Sequence, residues 1–416
     1  MKILVILQYW FPYEGAIQPI YGAIFDDLLK KGYEITILTA FPHFRKGRKE
    51  EWREYRGRIY EKAKWHDATV VRTYVFAPRY RSNKLSMLFR AINFVSFYIS
   101  ASVAGLVLPR HDVVFVPSSP PLFGAICARL IGRIRKIPYI YNLQDLYPDI
   151  AVVSGHLKKA GLIRALEIAE RSIYRHAKHI VVISETMKQA ISKKGVSKSK
   201  ITVIPNFCDT DFIQPISKRN KFSIKYGLHE RFVVMFAGNI GMVQSTEYII
   251  KSAELLQKYS DILFVFVGRG ENKPKIEQLS INISLKNIKF IPQQPSSNMK
   301  NVWGSADVGL VTLKRGLSTY AVPSKTFGIM ASGRPVLAMI DEGSEVWNMV
   351  TKAKGGLCIP PENPKLLTEA ILRLFTNDEE RKEMGYNARR YIVDNFHREI
   401  ISKKYEDLFQ NAVKKI

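Results

Sequence analysis

Three residues at the predicted start of a short helix, Ser324, Lys325 and Thr326, have types that suit phosphate binding. The pattern predicts a turn, a helix over 325–331 and a buried strand over 335–340. The first turn of a helix has free backbone N–H groups, and two hydroxyls and one cation accompany them here. The simpler interpretation is that Ser324 only caps the helix and that Lys325 is solvated.

Two carboxylates, Asp145 and Asp149, follow a predicted strand over 138–143. Open α/β sheets bind ligands at the carboxyl ends of their strands, so a carboxylate at this position is placed for chemistry. Asp149 also suits the cap of the next helix, which makes Asp145 the better candidate for a catalytic residue. His43 and His66 are further candidates, although each is more typical of a loop residue.

Two glycine-containing turns, at 238–241 and 268–270, each follow a predicted strand and precede a predicted helix. Neither completes the G-x-G-x-x-G pattern, because Lys273 occupies the position of the third glycine, and no P-loop pattern occurs. Each turn alone is weak evidence. Together with the helix start at Ser324 they predict one sheet edge that suits a nucleotide or a sugar nucleotide.

The chain opens with a predicted strand over 2–7, a helix over 16–31 and a second strand over 33–39. This β-α-β order places the loop that contains Glu14 and Gly15 at the carboxyl end of the first strand. We therefore predict that this loop contacts the acceptor or the donor, although Gly15 is equally suited to permit the turn alone.

Predicted strands and helices alternate along the whole chain, which is typical of an α/β fold with parallel sheets covered on both faces. A length of 416 residues predicts two domains. We predict a first domain over 1–205, a linker over 206–230, a second domain over 231–395 and a C-terminal helix over 396–416 that packs toward the first domain.

The chain is strongly basic, with a net charge of +26, and its first 205 residues hold 33 Lys and Arg against 15 Asp and Glu. Such a surface attracts nucleic acid, phosphorylated substrates or an anionic membrane. The basic and aromatic stretch 43–81 is predicted to be a loop. The stretch 85–108 has transmembrane length but contains Arg90 and Asn93, so we predict a buried or interfacial helix.

The three cysteines are widely spaced and show neither a zinc pattern nor a disulfide framework, which favours a reducing compartment. The first residues predict a strand and not a signal peptide, because no cleavage site of small residues follows the short apolar run.

Several segments, in order along the chain, resemble the family 4 glycosyltransferases, which are retaining enzymes of the GT-B fold. They include QYWFPYEGAIQP, NLQDLYPDIAVVSG, FAGNIG, FVGRG and VPSKTFGIMASGRPVLA. The resemblance implies two Rossmann-like domains that face each other across a cleft. Within the family, the chain is most similar to the branch that assembles capsule, O-antigen or exopolysaccharide, which includes enzymes thought to transfer N-acetylfucosamine.

The resemblance implies a sugar transfer from a nucleotide sugar, UDP-linked in our prediction, to a lipid-linked saccharide acceptor. It implies no metal or other cofactor, since fixed cations stabilise the leaving diphosphate. We expect a cytoplasmic protein that does not bind nucleic acid. It should lie on the anionic inner face of the plasma membrane, with the basic loop from Arg45 to Arg58 and the helix near Phe89 to Phe97 docked on the lipid.

The chain departs from the family pattern where a pair of glutamates is common, since Tyr320 and Gly328 occupy those positions. An Arg and a Lys that often hold the diphosphate match Asn239 and Gln244. Either other cations replace them, or the donor is not a sugar nucleotide. We predict Lys325 with Arg269 or Arg315 as replacements and Glu345, in an acidic loop, as the ribose or sugar contact. The predicted site has Asp145 as the catalytic residue and a donor-binding set of Gly238, Asn239, Gly241, Arg269, Ser324, Lys325, Thr326 and Glu345.

Two other functions fit parts of the sequence. A nucleotide-sugar epimerase shares the two-domain architecture but needs no acceptor. A nucleic-acid-binding protein would explain the charge through phosphate contacts, but the charge is spread over both domains and no recognition motif is present.

Overall fold

The computed structural model describes residues 1–12, 17–43, 53–55, 57–77 and 86–414, and these form two compact units. Within the described residues, the first unit comprises Met1–Val152, Leu157–Pro205 and the chain from Glu399, and the second comprises Val153–His156 and Asn206–Arg398. The predicted linker over 206–230 therefore belongs to the second unit. The C-terminal residues return to the first unit.

The first unit alternates strands with helices. Its elements before residue 205 are β1 (Lys2–Ile6), α1 (Gln18–Lys30), β2 (Glu34–Ala40), β3 (Tyr60–Trp65), β4 (Ala68–Thr73), α2 (Ser86–Val107), β5 (Val113–Pro117), α3 (Phe123–Arg135), β6 (Tyr139–Leu143), α4 (Asp149–Val153), α5 (Ala160–His176), β7 (His179–Val182), α6 (Glu185–Lys193) and β8 (Ile201–Val203). In the described chain they form a sheet of eight strands in the order β3-β4-β2-β1-β5-β6-β7-β8.

The strands of this sheet are parallel except at one edge, where β3 pairs antiparallel to β4. The sheet edge corrects the prediction of a loop over 43–81. The residues of β3 alternate between exposed and half-buried, whereas β4 is almost wholly buried. The polar and aromatic side chains of this hairpin make it resemble a loop in the sequence. Its strands are recognisable only from the pairing of β4 with β2.

The second unit repeats the α/β pattern. Its elements are α7 (Lys221–Tyr226), β9 (Phe232–Asn239), α8 (Thr246–Leu255), β10 (Ile262–Arg269), α9 (Lys273–Asn282), β11 (Ile288–Ile291), α10 (Met299–Gly304), β12 (Val308–Thr312), α11 (Lys325–Ala331), β13 (Val336–Met339), α12 (Glu345–Ala353), β14 (Gly356–Ile359), α13 (Pro364–Thr376) and α14 (Asp378–Phe396). The described strands form a parallel sheet of six in the order β11-β10-β9-β12-β13-β14.

Both sheets reverse their strand order beside the first strand of the unit, at β1/β5 and at β9/β12. Helices cover these strands, so the runs Ile3–Ile6 and Val233–Phe236 are completely buried. In open α/β sheets, ligands bind at the carboxyl ends of the strands next to such a switch point. The fold therefore indicates one candidate ligand-binding edge in each unit.

The last helix, α15 (Arg398–Val413), completes the first unit. The side-chain amide of Asn142 in β6 donates a hydrogen bond of 2.7 Å to the hydroxyl of Tyr405. Lys31 forms an ion pair of 2.7 Å with Glu406, and Phe409 packs against the ring of Phe115. The end of the chain is thus part of the first hydrophobic core.

Helix α2 contains the stretch Leu88–Val107, the one helix of the described chain that is long and apolar enough to cross a membrane. About a third of this stretch is buried. Its buried side chains include Phe97 and Ala101, and the helix packs against α3 and the sheet. It is a surface helix of the first unit with one face turned outward.

Candidate functional site

The two glycine-containing turns of the second unit lie side by side. The strands β9 and β10 pair so that Gly268 aligns with Gly238 and Arg269 with Asn239. The backbone N–H of Ile240 donates a hydrogen bond of 2.8 Å to the carbonyl of Arg269. Gly238, Asn239 and the side chain of Arg269 are exposed at the carboxyl edge of the sheet. The fold thus brings three predicted donor-binding residues together.

The glycines of the second turn are required by packing. A Cβ atom at Gly268 would lie 2.0 Å from the carbonyl oxygen of Gly238, and one at Gly270 would lie 2.1 Å from that of Ile240. Both contacts are far too short for real atoms. These two glycines therefore allow the turns to approach each other. Gly238 is more open, with only the side chain of Lys325 near the position of its missing Cβ.

Lys325 extends from the start of α11 to the turn at Gly238. Its Nζ lies 3.1 Å from the centre of the Phe236 ring and 3.8 Å from the position that a Cβ of Gly238 would occupy. This Nζ is buried and has no hydrogen-bond partner. Burial lowers the pKa of Lys325 well below its usual value. The site therefore holds a buried amino group that lacks both a hydrogen-bond partner and a counter-charge.

The simpler interpretation of the helix start, as a capped helix with a solvated lysine, does not describe this structure. Ser324 is exposed and makes no capping hydrogen bond, and Lys325 is buried at its tip. Thr326 is fully buried, and its hydroxyl donates a hydrogen bond of 2.8 Å to the carbonyl of Pro323. The predicted pair of hydroxyls is therefore divided, with only Ser324 at the surface.

Gly328, where the family pattern often has a glutamate, is enclosed by Trp303. A Cβ atom at Gly328 would lie 2.8 Å from Nε1 of that indole, so a longer side chain cannot enter without displacing a buried ring. Trp303 thus fills the space that a glutamate side chain at position 328 would need. A contact to the ribose would have to come from elsewhere.

The other predicted replacements differ in their surroundings. The guanidinium of Arg315 donates a hydrogen bond of 3.1 Å to the carbonyl of Pro361, and it lies 4.0 Å from Glu362. These contacts hold the guanidinium of Arg315 beside Pro361 and Glu362 at the surface. Glu345 is the first residue of α12 and not part of a loop, which corrects the prediction. Burial raises the pKa of Tyr391, and the charge of Glu345 adds to the rise.

Asn239 and Gln244, which match the usual diphosphate-binding cations, flank a tight turn. The N–H of Gly241 donates a hydrogen bond of 2.8 Å to the side chain of Gln244. A Cβ at Gly241 would contact both side chains at 2.8 and 2.9 Å. Gln244 and Gly241 therefore shape the turn, while Asn239 remains exposed.

In the first unit, Asp145 and Asp149 have different surroundings. Asp149 accepts a hydrogen bond of 2.5 Å from Lys194, whose ammonium also lies 2.8 Å from both carboxylate oxygens of Glu170. Asp145 lies at the surface of the unit, but the protein atoms packed around its carboxyl desolvate it and raise its pKa to about 6. Asp149 thus has a structural partner, and Asp145 remains the candidate for chemistry.

A small hollow lies at the carboxyl ends of β1 and β2, lined by Gln8, Trp10 and His43 among others. Buried polar atoms of these residues, Oε1, Nε1 and Nε2 respectively, have no hydrogen-bond partner. Burial lowers the pKa of His43, which is therefore neutral at pH 7. Gln8 and Trp10 belong to the loop over 8–15 that the sequence predicts at the carboxyl end of the first strand, although only Glu14 and Gly15 are predicted there as contact residues. The predicted contact residues Glu14 and Gly15 lie outside the described residues.

His66, the other histidine candidate, is part of the β3–β4 hairpin. It has a positive φ of 51°, stacks on Trp65 with ring centres 4.3 Å apart, and forms a 3.2 Å contact with Asp26. These contacts indicate a structural role for His66 in the hairpin.

A buried polar network that the sequence did not reveal lies behind Asp145. The hydroxyl of Tyr21 donates a hydrogen bond of 2.8 Å to Asn142, which in turn donates to Tyr405 of α15. The side chain of Gln144, next to Asp145, donates to both Tyr21 and Asn142 at 2.9 Å. Its members are 121 and 263 residues apart in sequence, a separation at which no local pattern indicates contact.

Among the residues that the structure describes, no group of three or more His, Cys, Asp or Glu side chains is placed to hold a metal ion. The three cysteines are unpaired thiols.

Profiles of known families match both halves of the chain. The profile described as "Glycosyl transferase 4-like domain" matches residues 18–206, and "Glycosyl transferases group 1" matches residues 218–391. The chain is a GT-B glycosyltransferase. Both matches follow the division into two units, and they do not favour the epimerase or the nucleic-acid-binding alternative.

Curated relatives and solved structures agree with this assignment. The GT-B glycosyltransferase is 25% identical to the putative colanic acid biosynthesis glycosyl transferase WcaI of Escherichia coli, over 89% of this chain and 91% of the relative. It is 25% identical to the probable glycosyltransferase WbjE of Pseudomonas aeruginosa, over 78% and 81% of the two chains. Its fold is similar to Anabaena HepE in complex with UDP-glucose, with a TM-score of 0.74 at 15% identity over 99% and 100% of the chains.

Proposed function

We propose that this GT-B glycosyltransferase transfers a sugar from a UDP-linked donor to a lipid-linked saccharide, with retention of configuration, in the synthesis of a surface polysaccharide. The observation that carries the proposal is the buried, unpartnered amino group of Lys325 beside the exposed turn at Gly238. A diphosphate at this edge would supply the missing counter-charge. The similarity to WcaI and to the UDP-glucose complex of HepE supports the pathway and the nucleotide.

In the proposed reaction, the bond from the anomeric carbon to the diphosphate oxygen breaks, and a bond to an acceptor hydroxyl oxygen forms on the same face of the sugar. The leaving diphosphate takes the electron pair and accepts the proton of the acceptor hydroxyl. Lys325 and Arg269 stabilise the negative charge that develops on the diphosphate, a task that does not require a metal or another cofactor. Asp145, ionised above pH 6, faces the reacting sugar and stabilises its positive charge.

The donor sugar that we propose is an N-acetylated deoxyhexosamine such as N-acetylfucosamine. The acceptor reaches the protein at the inner face of the plasma membrane, where the basic first unit lies on anionic lipid. The excess of Lys and Arg in the first 205 residues supports this location.

A panel of UDP-, GDP- and dTDP-sugars tests the donor. We expect selective thermal stabilisation by one UDP-sugar, because a ligand that binds only the folded state raises its melting temperature. Stabilisation by a GDP- or dTDP-sugar alone would contradict the UDP assignment. Turnover of the donor without an acceptor would support the epimerase instead. The anomeric configuration of the product, read by NMR, tests retention.

The variant Asp145→Asn tests the catalytic role. We expect the loss of product formation with donor-induced thermal stabilisation retained, because the amide keeps the shape but not the charge. The residual pH profile should also lack the fall in rate that we expect of the wild type as pH drops through about 6. Full activity of the variant would exclude Asp145 from the reaction.

A further inference from the structure

We propose that the outward faces of α2 and α3 form one surface that lies on an anionic lipid bilayer. This membrane contact rests on the function proposed above, because that function requires an acceptor that carries a lipid. The surface itself is argued from the side chains of the two helices.

Six aliphatic side chains of α2 and three of α3 face solvent, with exposed fractions from 37% to 77%. They recur at intervals of three or four residues, which places those of each helix in one stripe. We call this set the α2–α3 aliphatic face: Leu88, Ile92, Val95, Ile99, Val103 and Val107 of α2 and Ile126, Leu130 and Ile134 of α3.

The α2–α3 aliphatic face is continuous, because the two helices pack against each other. Helix α2 has 22 residues and is therefore roughly 33 Å long. Its opposite side is fixed to the first unit, since Phe97 and Ala101 are completely buried. A helix held in this way can rest in the interfacial layer of a membrane but does not need to cross it. An exposed aliphatic surface of this extent marks an interaction site.

The charges on and between the two helices favour an anionic partner. Residues 86–136, which span α2, β5 and α3, contain six Lys and Arg but a single acidic residue, Asp112. Arg133 is exposed on the same side of α3 as its aliphatic stripe, and Arg110 and Lys136 are exposed just beyond the ends of the two helices. A second copy of this chain would bring the same positive charges to the contact, whereas anionic headgroups complement them.

The inner side of α2, opposite its aliphatic stripe, contacts the candidate site of the first unit. Asn93 of α2 accepts a hydrogen bond of 2.8 Å from Gln8, which lines the hollow at the carboxyl end of β1. A bilayer on the face would therefore lie next to the sheet edge that carries the acceptor-side candidates. An acceptor anchored in that bilayer could extend its saccharide onto this edge without leaving the membrane.

The structure changes the membrane contact that the sequence predicts. The predicted docking helix near Phe89 to Phe97 does not present these two rings to a membrane. Phe97 is buried, and Phe94 packs against Phe123. The predicted basic loop near Arg45 falls mostly outside the described residues. Helix α3 was not part of the prediction, and it supplies a third of the aliphatic side chains.

Sedimentation of the full chain with vesicles tests the proposal. We expect binding to phosphatidylcholine vesicles that contain phosphatidylglycerol, and weaker binding to phosphatidylcholine alone. The double variant Ile99→Ser/Val103→Ser and the variant Ile134→Ser should each reduce the bound fraction, with a loss of about tenfold or more in partition for the double variant. Arg133→Gln should reduce binding most at low salt.

The matched control is the double variant Leu255→Ser/Ile281→Ser, which removes two similarly exposed aliphatic side chains, at 50% and 68%, from the second unit. It should bind vesicles as the wild type does. Circular dichroism and donor-induced thermal stabilisation of every variant show that it is folded, and they test donor binding separately from membrane binding.

Three results would overturn the proposal: no sedimentation of the wild type with anionic vesicles at low salt, wild-type binding by the α2 double variant, or equal losses in the control. A wild-type dimer that this α2 variant converts to a monomer, with vesicle binding unchanged, would assign the face to a second copy instead.

Discussion

Two lysines with largely buried amino groups, Lys194 in the first unit and Lys325 in the second, have very different surroundings. Lys194 donates hydrogen bonds to Asp149 and to both carboxylate oxygens of Glu170. Burial alone would lower the pKa of Lys194, but the two carboxylates outweigh it and the pKa is raised. The Lys325 Nζ lies against the Phe236 ring without a hydrogen-bond partner, and burial lowers its pKa.

Only the charge of Lys194 stabilises the fold. Lys194 joins α4, α5 and the end of α6, and burial of Glu170 would be costly without it, although burial still raises the pKa of that carboxyl. Lys325 contacts no group of opposite charge, so its burial lowers the stability of the unliganded protein. Groups whose pKa values are displaced by burial at the edge of a sheet are typical of functional sites.

The largest effect that we predict is on stability, from Lys194→Met. Removal of the ammonium leaves the carboxylate of Glu170, whose side chain is 1% exposed, without its ion pair. We expect the free energy of unfolding to fall by about 3–5 kcal/mol. Urea denaturation followed by circular dichroism measures it. A loss below about 1 kcal/mol would mean that the network is no more than a surface ion pair.

The variant Lys325→Met should have the opposite pattern. We expect donor affinity to fall by about ten- to a hundredfold, since a charged hydrogen bond to the diphosphate is lost. The unliganded protein should become more stable at neutral pH, because the variant no longer buries an uncompensated amine. Calorimetric titration with a UDP-sugar and thermal unfolding measure the two effects.

Lys251→Met is the matched control, because Lys251 lies over the ring of Tyr248 in the same unit but is exposed. It should change neither donor affinity nor stability appreciably. If Lys325→Met left donor affinity unchanged, Lys325 would not bind the diphosphate, and the comparison between the two lysines would lose its functional meaning.

Donor binding should be linked to the uptake of a proton at Lys325. In the free protein burial holds the pKa of Lys325 low, and an adjacent diphosphate would raise it. Affinity should therefore weaken as pH rises, and binding enthalpy should depend on the ionisation enthalpy of the buffer. Lys325→Met should abolish the proton uptake, whereas uptake that persists in this variant would place the titrating group elsewhere.

The same shift fixes the sign of the pH dependence of stability. The unfolded chain binds the Lys325 proton more tightly than the folded protein does. The contribution of Lys325 to the free energy of unfolding therefore rises with pH. The rise lies between the lowered pKa of the folded protein and the ordinary lysine value of about 10.4. Lys325→Met should remove that slope.

The smallest effect is expected for Asp149→Asn. Lys194 would keep both of its contacts to Glu170, so we expect a loss of about 1 kcal/mol, as for a single hydrogen bond. Urea denaturation measures the loss, and donor affinity should be unchanged. A loss as large as that of Lys194→Met would show that Asp149 and not Glu170 dominates the network.

Much of the fold follows from local patterns. Short apolar runs bounded by glycine and proline predicted most strands, such as β9 and β10, because strands covered on both faces are apolar throughout. The helix predicted over 325–331 has those bounds in the structure. The hairpin β3–β4 was missed, since a strand with one polar face resembles a loop until its partner is known.

The candidate site was accessible from the sequence only as a set of residue types. Lys325, Gly238 and Asp145 were selected from their positions after strands and at a helix start. The burial of the Lys325 tip, the enclosure of Gly328 by Trp303 and the network from Tyr405 to Gln144 depend on contacts between distant segments.

The sequence alone therefore determined the class of fold, the family resemblance and the basic character of the first half, since these depend on composition, periodicity and motifs. Which charges are paired and which aliphatic side chains remain exposed to solvent depends on the tertiary structure. The pairing of Lys194, the isolation of Lys325 and the exposure of the α2–α3 aliphatic face arise from packing, because burial and partners are properties of the neighbours in space.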